Sequence, residues 1–465
     1  MPPPTVGDAW LKSRRFGIVV DAGSSGSRLQ VYSWRDPVAV REELGDAVRH
    51  QLPKVEKGTQ NNEDWSTKTE PGLSSFAANV EDIPAYLAPL LDHARTVIPP
   101  LLHTKTPLFV LATADSPSQD GPCGRSVRII TGQEEGMFGW IAINYLMDGF
   151  GPFDTDRTTY GFLDMGGAST QIAFEPSTDY QESSPSDSLF PISLRMLGGE
   201  EVKHRVFVAT WLGYGTNQAR ERYVRRLAEA RDLEGGLIQD SCLHNGLRRS
   251  EGIAHLSDSS FHSLTVVGTG SFERCLAETL PLLNKAAPCQ DTPCPFDGVH
   301  VPPIDFSMSH FIGVSEYWYS SEHVFGLGGA YDFVQYGRAA QEYCGKDWKE
   351  VLSMHDQDKA NAKATGSIPG VQLAMRDKVE ISRLETQCFK AAWIINVLHE
   401  GLGMPRIVDP GGNSSTHGDD VTAQADRKGL GRVKPAFQSM DSVGDIAITW
   451  TLGKMVLEAS SERTD

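Results

Sequence analysis

The stretch of sequence that decides the fold is Phe16-Gly17-Ile18-Val19-Val20-Asp21-Ala22-Gly23-Ser24-Ser25-Gly26-Ser27-Arg28. It reads as a short apolar strand that ends on an aspartate and continues into a loop of glycine and serine. Glycine lets the backbone approach a phosphate closely, and successive N–H groups and hydroxyls then point at the phosphate oxygens. A carboxylate at the strand end can hold a divalent cation, directly or through water. Residues 21–28 therefore predict a phosphate-binding loop, which we call the first cradle.

The same pattern returns in the second half of the chain, as Gly161-Phe162-Leu163-Asp164-Met165-Gly166-Gly167-Ala168-Ser169-Thr170-Gln171. We call residues 164–171 the second cradle. One loop of this kind is a weak indication of function. Two of them in separate halves predict a duplicated fold that holds a polyphosphate from both sides.

Length and charge narrow the possible partners. At 465 residues the chain is too long for a single compact core, so we expect two domains. The formal net charge of -17 argues against nucleic acid as a partner, because binding to a phosphate backbone relies on excess lysine and arginine. A nucleotide remains possible, since a local group of N–H donors and a metal ion can reverse the sign of the charge within one cleft.

The sequence shows neither a membrane span nor a secretion signal. No apolar run approaches the roughly 20 residues that a bilayer requires. The N-terminal Met1-Pro2-Pro3-Pro4 lacks the apolar core of a signal peptide. Taken alone the chain reads as soluble, and a membrane anchor could still lie outside it.

Hydrophobic periodicity predicts the same alternation of strands and helices in both halves. In the first half we expect strands at 16–21, 29–34, 107–114 and 127–130 and helices at 83–98 and 133–147. In the second half, the order of strand, cradle and strand recurs over 160–174. Helices are expected there at 220–231, 384–400 and 439–458. The last helix is expected to fold back onto the first half. This layout is that of the actin-like ATPase and sugar-kinase fold, in which the ligand lies in the cleft between the halves.

Five ordered regions also match a known family, and they lie at 21–28, 111–114, 130–136, 163–171 and 311–329. On these regions the chain resembles the nucleoside triphosphate diphosphohydrolases, or apyrases, and looks most similar to the Golgi-type apyrases of fungi. The closing Ile448-Thr449-Trp450-Thr451-Leu452-Gly453 is similar to the family's final core helix. The resemblance implies a two-domain, actin-like α/β fold of the ribonuclease H type. We expect a disordered 1–14, a first domain at 15–132 plus 437–465, and a second domain at 133–436.

The resemblance also implies which residues hold the substrate and its cation. The phosphates would be held by Gly23, Ser24, Ser25, Gly26, Gly166, Gly167, Ala168 and Ser169. Asp21 and Asp164 would orient waters around a Ca²⁺ or Mg²⁺ ion, with Thr113 and Trp450 contributing to the same shell. Tyr319 would stack on the nucleobase. A tryptophan on an apolar helix is nevertheless more often a core residue, so both interpretations of Trp450 stay open.

The same resemblance implies that Glu135 is the general base and that Gln171 positions the attacking water. Cleavage of a phosphoanhydride needs an in-line water, a base within hydrogen-bond reach and positive charge on the phosphate oxygens. Glutamates in the first turn of a helix are also favoured by the helix dipole alone. We prefer that plain structural interpretation for Glu134 and the catalytic one for Glu135.

The second region departs from the family pattern after Ala114. A helix is expected there, but residues 115–126 contain two prolines and two glycines before the next strand. The flanking strands are parallel in the expected fold, and parallel neighbours usually need a crossover of a dozen or more residues. The helix is therefore expected to be missing, either through an error in the gene model or because this is a divergent, weak or inactive member. Cys123 lies in this segment, and we hypothesise Cys344–Cys388 and Cys289–Cys294 as disulfides elsewhere.

We therefore expect an enzyme that uses a divalent cation to remove terminal phosphates from nucleoside di- and triphosphates. The resemblance implies a Golgi-like lumen, where it would clear the UDP and GDP left by glycosyltransferases. A sugar kinase of the same fold is one alternative, and Glu135 with Gln171 argues against it. A catalytically impaired nucleotide-binding protein is the other, because the connection at 115–126 is short.

Overall fold

The computed structural model describes residues 9–23, 26–60, 62–113, 119–121, 124–150, 159–185, 188–229, 237–254, 261–306, 309–365, 379–406 and 435–461. The chain forms two compact units, Met1–Phe162 with Ile172–Thr210 and Ser442–Asp465, and Leu163–Gln171 with Trp211–Asp441. The predicted domain boundaries differ from these bounds and stay a prediction. Disorder up to residue 14 is wrong for the described part of that segment, because Ala9–Leu11 forms a 3-10 helix and Leu11 is buried in the core.

The first sheet has seven strands, β1 (Arg14–Ala22), β2 (Ser27–Arg35), β3 (Glu56–Lys57), β4 (Ser66–Thr69), β5 (Leu108–Thr113), β6 (Gln119–Gly121) and β7 (Gly124–Ile130). Their order is β3-β2-β1-β5-β7-β6, and β4 pairs with β2. The helices of this part are α1 (Pro37–Leu44), α2 (Ile83–Val97) and α3 (Gly132–Leu146). The strands predicted at 16–21 and 29–34 are confirmed, and β1 and β2 pair antiparallel as a hairpin, with Asp21 opposite Arg28.

The core beneath the first sheet follows from two hydrophobic periods. Every second residue of β1 (Phe16, Ile18 and Val20) points into one buried cluster. Helix α2 presents apolar residues at helical spacing to the same cluster, among them Leu90 and Ala94. The predicted helix at 83–98 is thereby confirmed.

The short connection after β5 is built from a strand where the family pattern predicts a helix. Strands β5 and β7 are parallel neighbours, as expected, with Thr113 opposite Ile130. Between them, β6 pairs antiparallel with the far side of β7, with Gln119 opposite Ile129. Strand β6 therefore forms the outer edge of the sheet, and β7, which follows it in the chain, lies between β6 and β5. Residues 114–118 and 122–123, with Cys123, lie outside the described residues.

The second sheet also has seven strands and has the order β10-β11-β9-β8-β15-β17-β16. Its strands are β8 (Tyr160–Met165), β9 (Ser169–Phe174), β10 (Phe190–Arg195), β11 (Glu201–Leu212), β15 (His310–Ser315), β16 (Gly329–Ala330) and β17 (Phe437–Ser439). A smaller sheet of order β12-β14-β13 contains β12 (Leu237–Asp240), β13 (Arg248–Ala254) and β14 (Phe261–Gly268). The predicted strand, cradle and strand over 160–174 is confirmed by β8 and β9.

The helices of the second half are α4 (Thr178–Ser183), α5 (Thr216–Glu229), α6 (Phe272–Thr279), α7 (Glu316–Trp318), α8 (Phe333–Cys344), α9 (Trp348–Thr365) and α10 (Ile381–Ile395). Two π-helical turns follow α7 and α10, at Tyr319–Phe325 and Asn396–Gly401. The hypothesised disulfides Cys289–Cys294 and Cys344–Cys388 are present, and a third joins Cys242 to Cys275. The sequence did not single out the third pair.

The chain ends in a hairpin and a helix. The helix predicted over 439–458 is wrong for its first half, because β18 (Ser442–Val443) and β19 (Ile446–Ala447) pair around Gly444, whose φ is +62°. Helix α11 then runs over Trp450–Ser461. It packs closely on α3, since a Cβ at Gly453 would overlap the Phe138 carbonyl. The predicted return of the C-terminus to the first half is confirmed.

Candidate active site

The first cradle lies at the tip of the β1–β2 hairpin. Asp21 is at the end of β1, and Gly23 and Gly26 flank the two serines of the loop. Ser24 and Ser25 themselves lie outside the described residues. A Cβ at Gly26 would lie 2.8 Å from the Thr69 carbonyl oxygen, so glycine is required where the loop passes β4.

One tyrosine ties this loop to the chain beside it. The Ser27 N–H donates to the Tyr86 hydroxyl at 3.1 Å. That hydroxyl in turn donates towards the Thr69 carbonyl at 3.1 Å and the Pro71 carbonyl at 2.6 Å. Tyr86 is buried on α2, so a side chain from a neighbouring helix adds to the pairing of Ser27 and Arg28 with β4.

The other predicted site residues of this unit gather at the same edge of the first sheet. Strand β1 is parallel to β5 with Asp21 opposite Leu111, and β5 is parallel to β7 with Thr113 opposite Ile130. The carboxyl ends of all three strands therefore share one edge. Thr113 ends β5 there, and Glu135 stands in the first turn of α3, directly after β7.

Glu134 and Glu135 have different surroundings. The Glu134 carboxylate accepts from the Thr131 N–H at 2.9 Å, and the Glu134 N–H donates to the Thr131 hydroxyl at 3.1 Å. It also pairs with Arg128 at 2.8 Å. Glu134 is thus a capping residue of α3, as predicted. Adjacent residues on a helix point about 100° apart, so the half-buried Glu135 projects in a different direction.

The start of α11 lies close to α3 and to a buried polar group on β2. The ring of Trp450 stacks on Phe138 of α3 with centroids 6.4 Å apart. Just beside it, the Tyr32 hydroxyl lies 3.1 Å from the Thr449 hydroxyl and 2.9 Å from that of Thr451. Burial raises the pKa of Tyr32 to about 12, and the charge of Asp21 adds to the rise. Trp450 is a buried core residue, 7% exposed, on the helix that supports Glu135.

The backbone of the second cradle is held along one side by the start of α5. The Thr216 N–H donates to the Gly166 carbonyl at 2.9 Å, and the Asn217 N–H donates to that of Gly167 at 2.9 Å. The Gly213 and Gly215 N–H groups both donate to the Ala168 carbonyl. All three carbonyls of the loop therefore face α5.

The orientation of these carbonyls also sets that of the amide groups. In a planar trans peptide the C=O and the following N–H point in opposite directions. The N–H groups of Gly167, Ala168 and Ser169 therefore point away from α5. Converging N–H groups of this kind form a concave anion site. A Cβ at Gly215 would lie 2.6 Å from the Ala168 backbone, so glycine is needed for this close approach.

Asp164 ends β8 just before this loop. Burial raises the pKa of its carboxyl group, and hydrogen bonds from the Ser315 side chain and the Met165 backbone oppose that rise. The Oδ1 atom is buried and has no hydrogen-bond partner among the described residues. A buried carboxylate oxygen without a partner is costly, which indicates a place for a water molecule or a cation.

The remaining predicted residues of the second unit lie close to this loop. Gln171 is buried and its side-chain amide donates to the Ser169 hydroxyl at 2.8 Å. Tyr319 comes one helical turn after Ser315, the residue that bonds to Asp164. The Tyr319 ring lies under the Arg383 guanidinium, 5.0 Å away, and 5.2 Å from the His323 ring. Tyr319 therefore has one face engaged by a cation.

The residues fit a cation that is bound chiefly through water and phosphate. In the described ranges no group of three or more His, Cys, Asp or Glu side chains could hold a metal ion by itself. The unpartnered Oδ1 of Asp164 does fit a hydrated divalent cation, which accepts carboxylate and water ligands.

Helices in the described part of the chain are all too short or too polar to cross a bilayer.

Comparison with solved structures supports the fold. The chain resembles the structure titled "Crystal structure of nucleoside triphosphate hydrolases from Neospora caninum", with a TM-score of 0.53 and 14% identity. The match covers 96% of this chain and 92% of the other. It confirms the predicted actin-like α/β fold.

Sequence comparison defines the class of protein. The chain belongs to the GDA1/CD39 (nucleoside phosphatase) family, whose pattern matches residues 9–115 and 122–464. It is therefore an enzyme that hydrolyses nucleoside phosphates, as predicted. The gap in the match, at 116–121, falls within the connection that contains β6.

Individual relatives extend over almost the whole chain. The Golgi apyrase of Saccharomyces cerevisiae is 36% identical over 96% of this chain and 70% of its own length. The Golgi apyrase of Schizosaccharomyces pombe is 37% identical over 97% of this chain and 76% of its own length. The nucleoside-diphosphatase mig-23 of Caenorhabditis elegans is 31% identical over 96% of this chain and 77% of its own length. The predicted resemblance to fungal Golgi apyrases is confirmed.

Several residues that shape the site were not predicted from the sequence. Tyr86 lies within the helix predicted at 83–98, and nothing in its spacing signals a hydrogen bond to Ser27. The Gly213-Tyr214-Gly215-Thr216 run before α5 carried a signal, since two glycines ahead of a helix indicate a close backbone approach. Ser315 lay within a matched region but was given no role.

Proposed function

We propose that this enzyme removes terminal phosphates from nucleoside di- and triphosphates with the help of Ca²⁺ or Mg²⁺. We propose further that it works in a Golgi lumen, where it clears the UDP and GDP left by glycosyltransferases. The names of the relatives, Golgi apyrase and nucleoside-diphosphatase, support the compartment and the substrate class.

The observation that carries the proposal is the second cradle. The N–H groups of Gly167, Ala168 and Ser169 point to one side because the preceding carbonyls are bonded on the other side to residues at the start of α5. Beside them stands a buried carboxylate oxygen, Oδ1 of Asp164, with no described partner. An anion site next to an unsatisfied carboxylate suits a phosphate that arrives together with a cation.

The proposal assigns phosphate binding to the two cradles. In the first, Gly23, Ser24, Ser25 and Gly26 would hold phosphate oxygens, and in the second Gly166, Gly167, Ala168 and Ser169 would do so. Asp21 and Asp164 would hold the cation through water, with Thr113 beside Asp21. Such a cation supplies positive charge to the phosphate oxygens when it is bound. The buried Trp450 would act on this shell only by supporting the helix of Glu135.

Glu135 is proposed as the general base. It would take a proton from the attacking water as the water oxygen bonds to the terminal phosphorus. The bridging P–O bond then breaks, and its electron pair leaves with the shortened nucleotide. Gln171 would orient the same water. Its bond to the Ser169 hydroxyl would couple the water position to the phosphate contact. Tyr319 would stack on the nucleobase with the face opposite Arg383.

Phosphate release from the purified chain tests the proposal. UDP, GDP, ADP, UTP and ATP should each be assayed with Ca²⁺, with Mg²⁺ and with a chelator. We expect release from both di- and triphosphates, and its loss in the chelator. Binding of these nucleotides without any release would support instead the catalytically impaired binding protein. Transfer of phosphate to a sugar without release in water would indicate a kinase.

A further inference from the structure

Ser315 has a backbone conformation that suits glycine far better than serine. Its φ is +57° and its ψ is -119°, where a side chain is strained and glycine is not. It is one of only a few non-glycine residues with positive φ in the described chain. Serine differs from glycine only by its CH₂–OH group, so the contact that this group makes is what the strained conformation offers in return.

The hydroxyl of Ser315 does not serve the helix that follows it. Ser315 occupies the N-cap position of α7, yet within this described helix its side chain makes no capping hydrogen bond. Instead the hydroxyl bonds to the carboxylate of Asp164. The strand order explains how, since β15, which ends at Ser315, is the sheet neighbour of β8, which carries Asp164.

The surrounding packing holds Ser315 in this conformation. Two residues before it, a Cβ at Gly313 would lie 2.5 Å from the Phe437 ring and 3.0 Å from the Tyr317 Cβ. Tyr317 is fully buried two residues after it. The chain around Ser315 is therefore fixed on both sides, which keeps the hydroxyl directed at Asp164.

Asp164 is held on its other side as well. The Thr170 hydroxyl donates to the Asp164 backbone carbonyl at 3.1 Å. With Met165 N–H and the Ser315 hydroxyl on the carboxylate, the group has little freedom to rotate. The Oδ1 atom, for which the described residues supply no partner, is then presented in one direction.

We infer that Ser315 is a positioning residue of the phosphohydrolase reaction, whose hydroxyl orients Asp164 so that Oδ1 faces the hydrated cation. The inference rests on the proposed function and adds to it a residue outside the two cradles. A hydrogen bond to a charged group is worth enough that its loss should lower kcat/KM by about 10- to 100-fold.

Ser315→Gly is the decisive variant, because glycine removes the hydroxyl while relieving the backbone. We expect it to fold with a melting temperature at or above that of the wild type. Its kcat/KM for UDP should fall about 10-fold or more, and the Ca²⁺ concentration for half-maximal activity should rise. Asn284→Gly, at an exposed residue with φ of +51°, is the matched control and should keep full activity.

A binding measurement separates positioning from catalysis. In a Glu135→Gln background, calorimetry with UDP should show that Ser315→Gly weakens binding in the presence of Ca²⁺ and leaves it unchanged in a chelator. If Ser315→Gly showed the same Ca²⁺ dependence as the wild type and an undiminished kcat/KM, this inference would be overturned. The proposed function would stay intact. A wild-type chain that releases no phosphate would overturn both.

Discussion

The two cradles are alike in sequence and differ in what holds them. The second is bonded through its own backbone carbonyls to residues 213–218, at the start of α5. The first is paired with β4 at Ser27 and Arg28, and the hydroxyl of one tyrosine, Tyr86, adds hydrogen bonds to the same segment. Backbone bonds persist whatever the side chains are, whereas a tyrosine hydroxyl can be removed by one substitution. We therefore expect a change at Gly215, which contacts the second cradle, to have a larger effect than loss of the Tyr86 hydroxyl beside the first.

The largest effect is expected from Glu135→Gln, which removes the proposed base and changes neither phosphate-binding loop. Because neither cradle contains the proposed base, Glu135→Gln should leave both loops intact and lower kcat by about 10²–10⁴-fold. Nucleotide affinity should change little. Rapid-quench or steady-state phosphate release, together with calorimetry, measures the two quantities.

Glu134→Gln is the matched control for that prediction. It changes the adjacent carboxylate, which caps α3 and pairs with Arg128. We expect a loss of about 0.5–2 kcal/mol in the free energy of unfolding and nearly full activity. If Glu134→Gln were the inactive variant and Glu135→Gln the active one, the assignment of the base would be wrong.

The next largest effect should come from Gly215→Ala. The added Cβ would lie 2.6 Å from the Ala168 backbone and push the second cradle out of place. A displacement of about 1 Å in a reacting group can cost about 100-fold in rate, and we expect a loss of that order. Gly337→Ala is the control, since a Cβ there would meet no described atom within 4 Å beyond the neighbouring backbone of its own helix. Equal activity of the two variants would show that the contact with α5 is unimportant.

Asp164→Asn should lower the activity and raise the stability of the folded protein. Burial raises the pKa of Asp164 in the folded state, so the folded protein holds this proton to a higher pH than the unfolded chain. Stability therefore falls as the pH rises from the ordinary aspartate range through the raised pKa. In a chelator at neutral pH, Asp164→Asn should be more stable than the wild type by about 1–3 kcal/mol. That advantage should shrink towards pH 4 in denaturation curves, and a constant or inverted difference would contradict it.

The smallest effect is expected at the first cradle. Tyr86→Phe removes the hydroxyl between Ser27 and the chain at Thr69 and Pro71, and should cost about 1 kcal/mol of stability. The KM for UDP should also rise a few-fold. Tyr145→Phe removes an equivalent buried hydroxyl, which accepts from the Val55 N–H at 2.7 Å. It should cost a similar stability with no change in KM, and a shared rise in KM would remove the special role of Tyr86.

Much of this architecture could be predicted from sequence because it depends on local patterns. Alternating apolar residues identified β1 and β2, and helical spacing identified α2. The two Asp–Gly–Ser runs marked both strand ends. The first half of the helix predicted at 439–458 is instead a hairpin, because its turn depends on one glycine at positive φ that apolar spacing does not reveal. The Ser315–Asp164 and Tyr86–Ser27 bonds join residues 151 and 59 positions apart, by the difference of their numbers. No single-sequence pattern signals such pairings.

We propose that both cradles bind the same nucleotide. Hydrogen–deuterium exchange on Glu135→Gln, with UDP and Ca²⁺ titrated together, tests it most directly. We expect the backbone amides of 21–28 and of 164–171 to gain protection with the same midpoint, and to lose it in a chelator. Protection of only one loop, or of the two loops at separate midpoints, would contradict the claim.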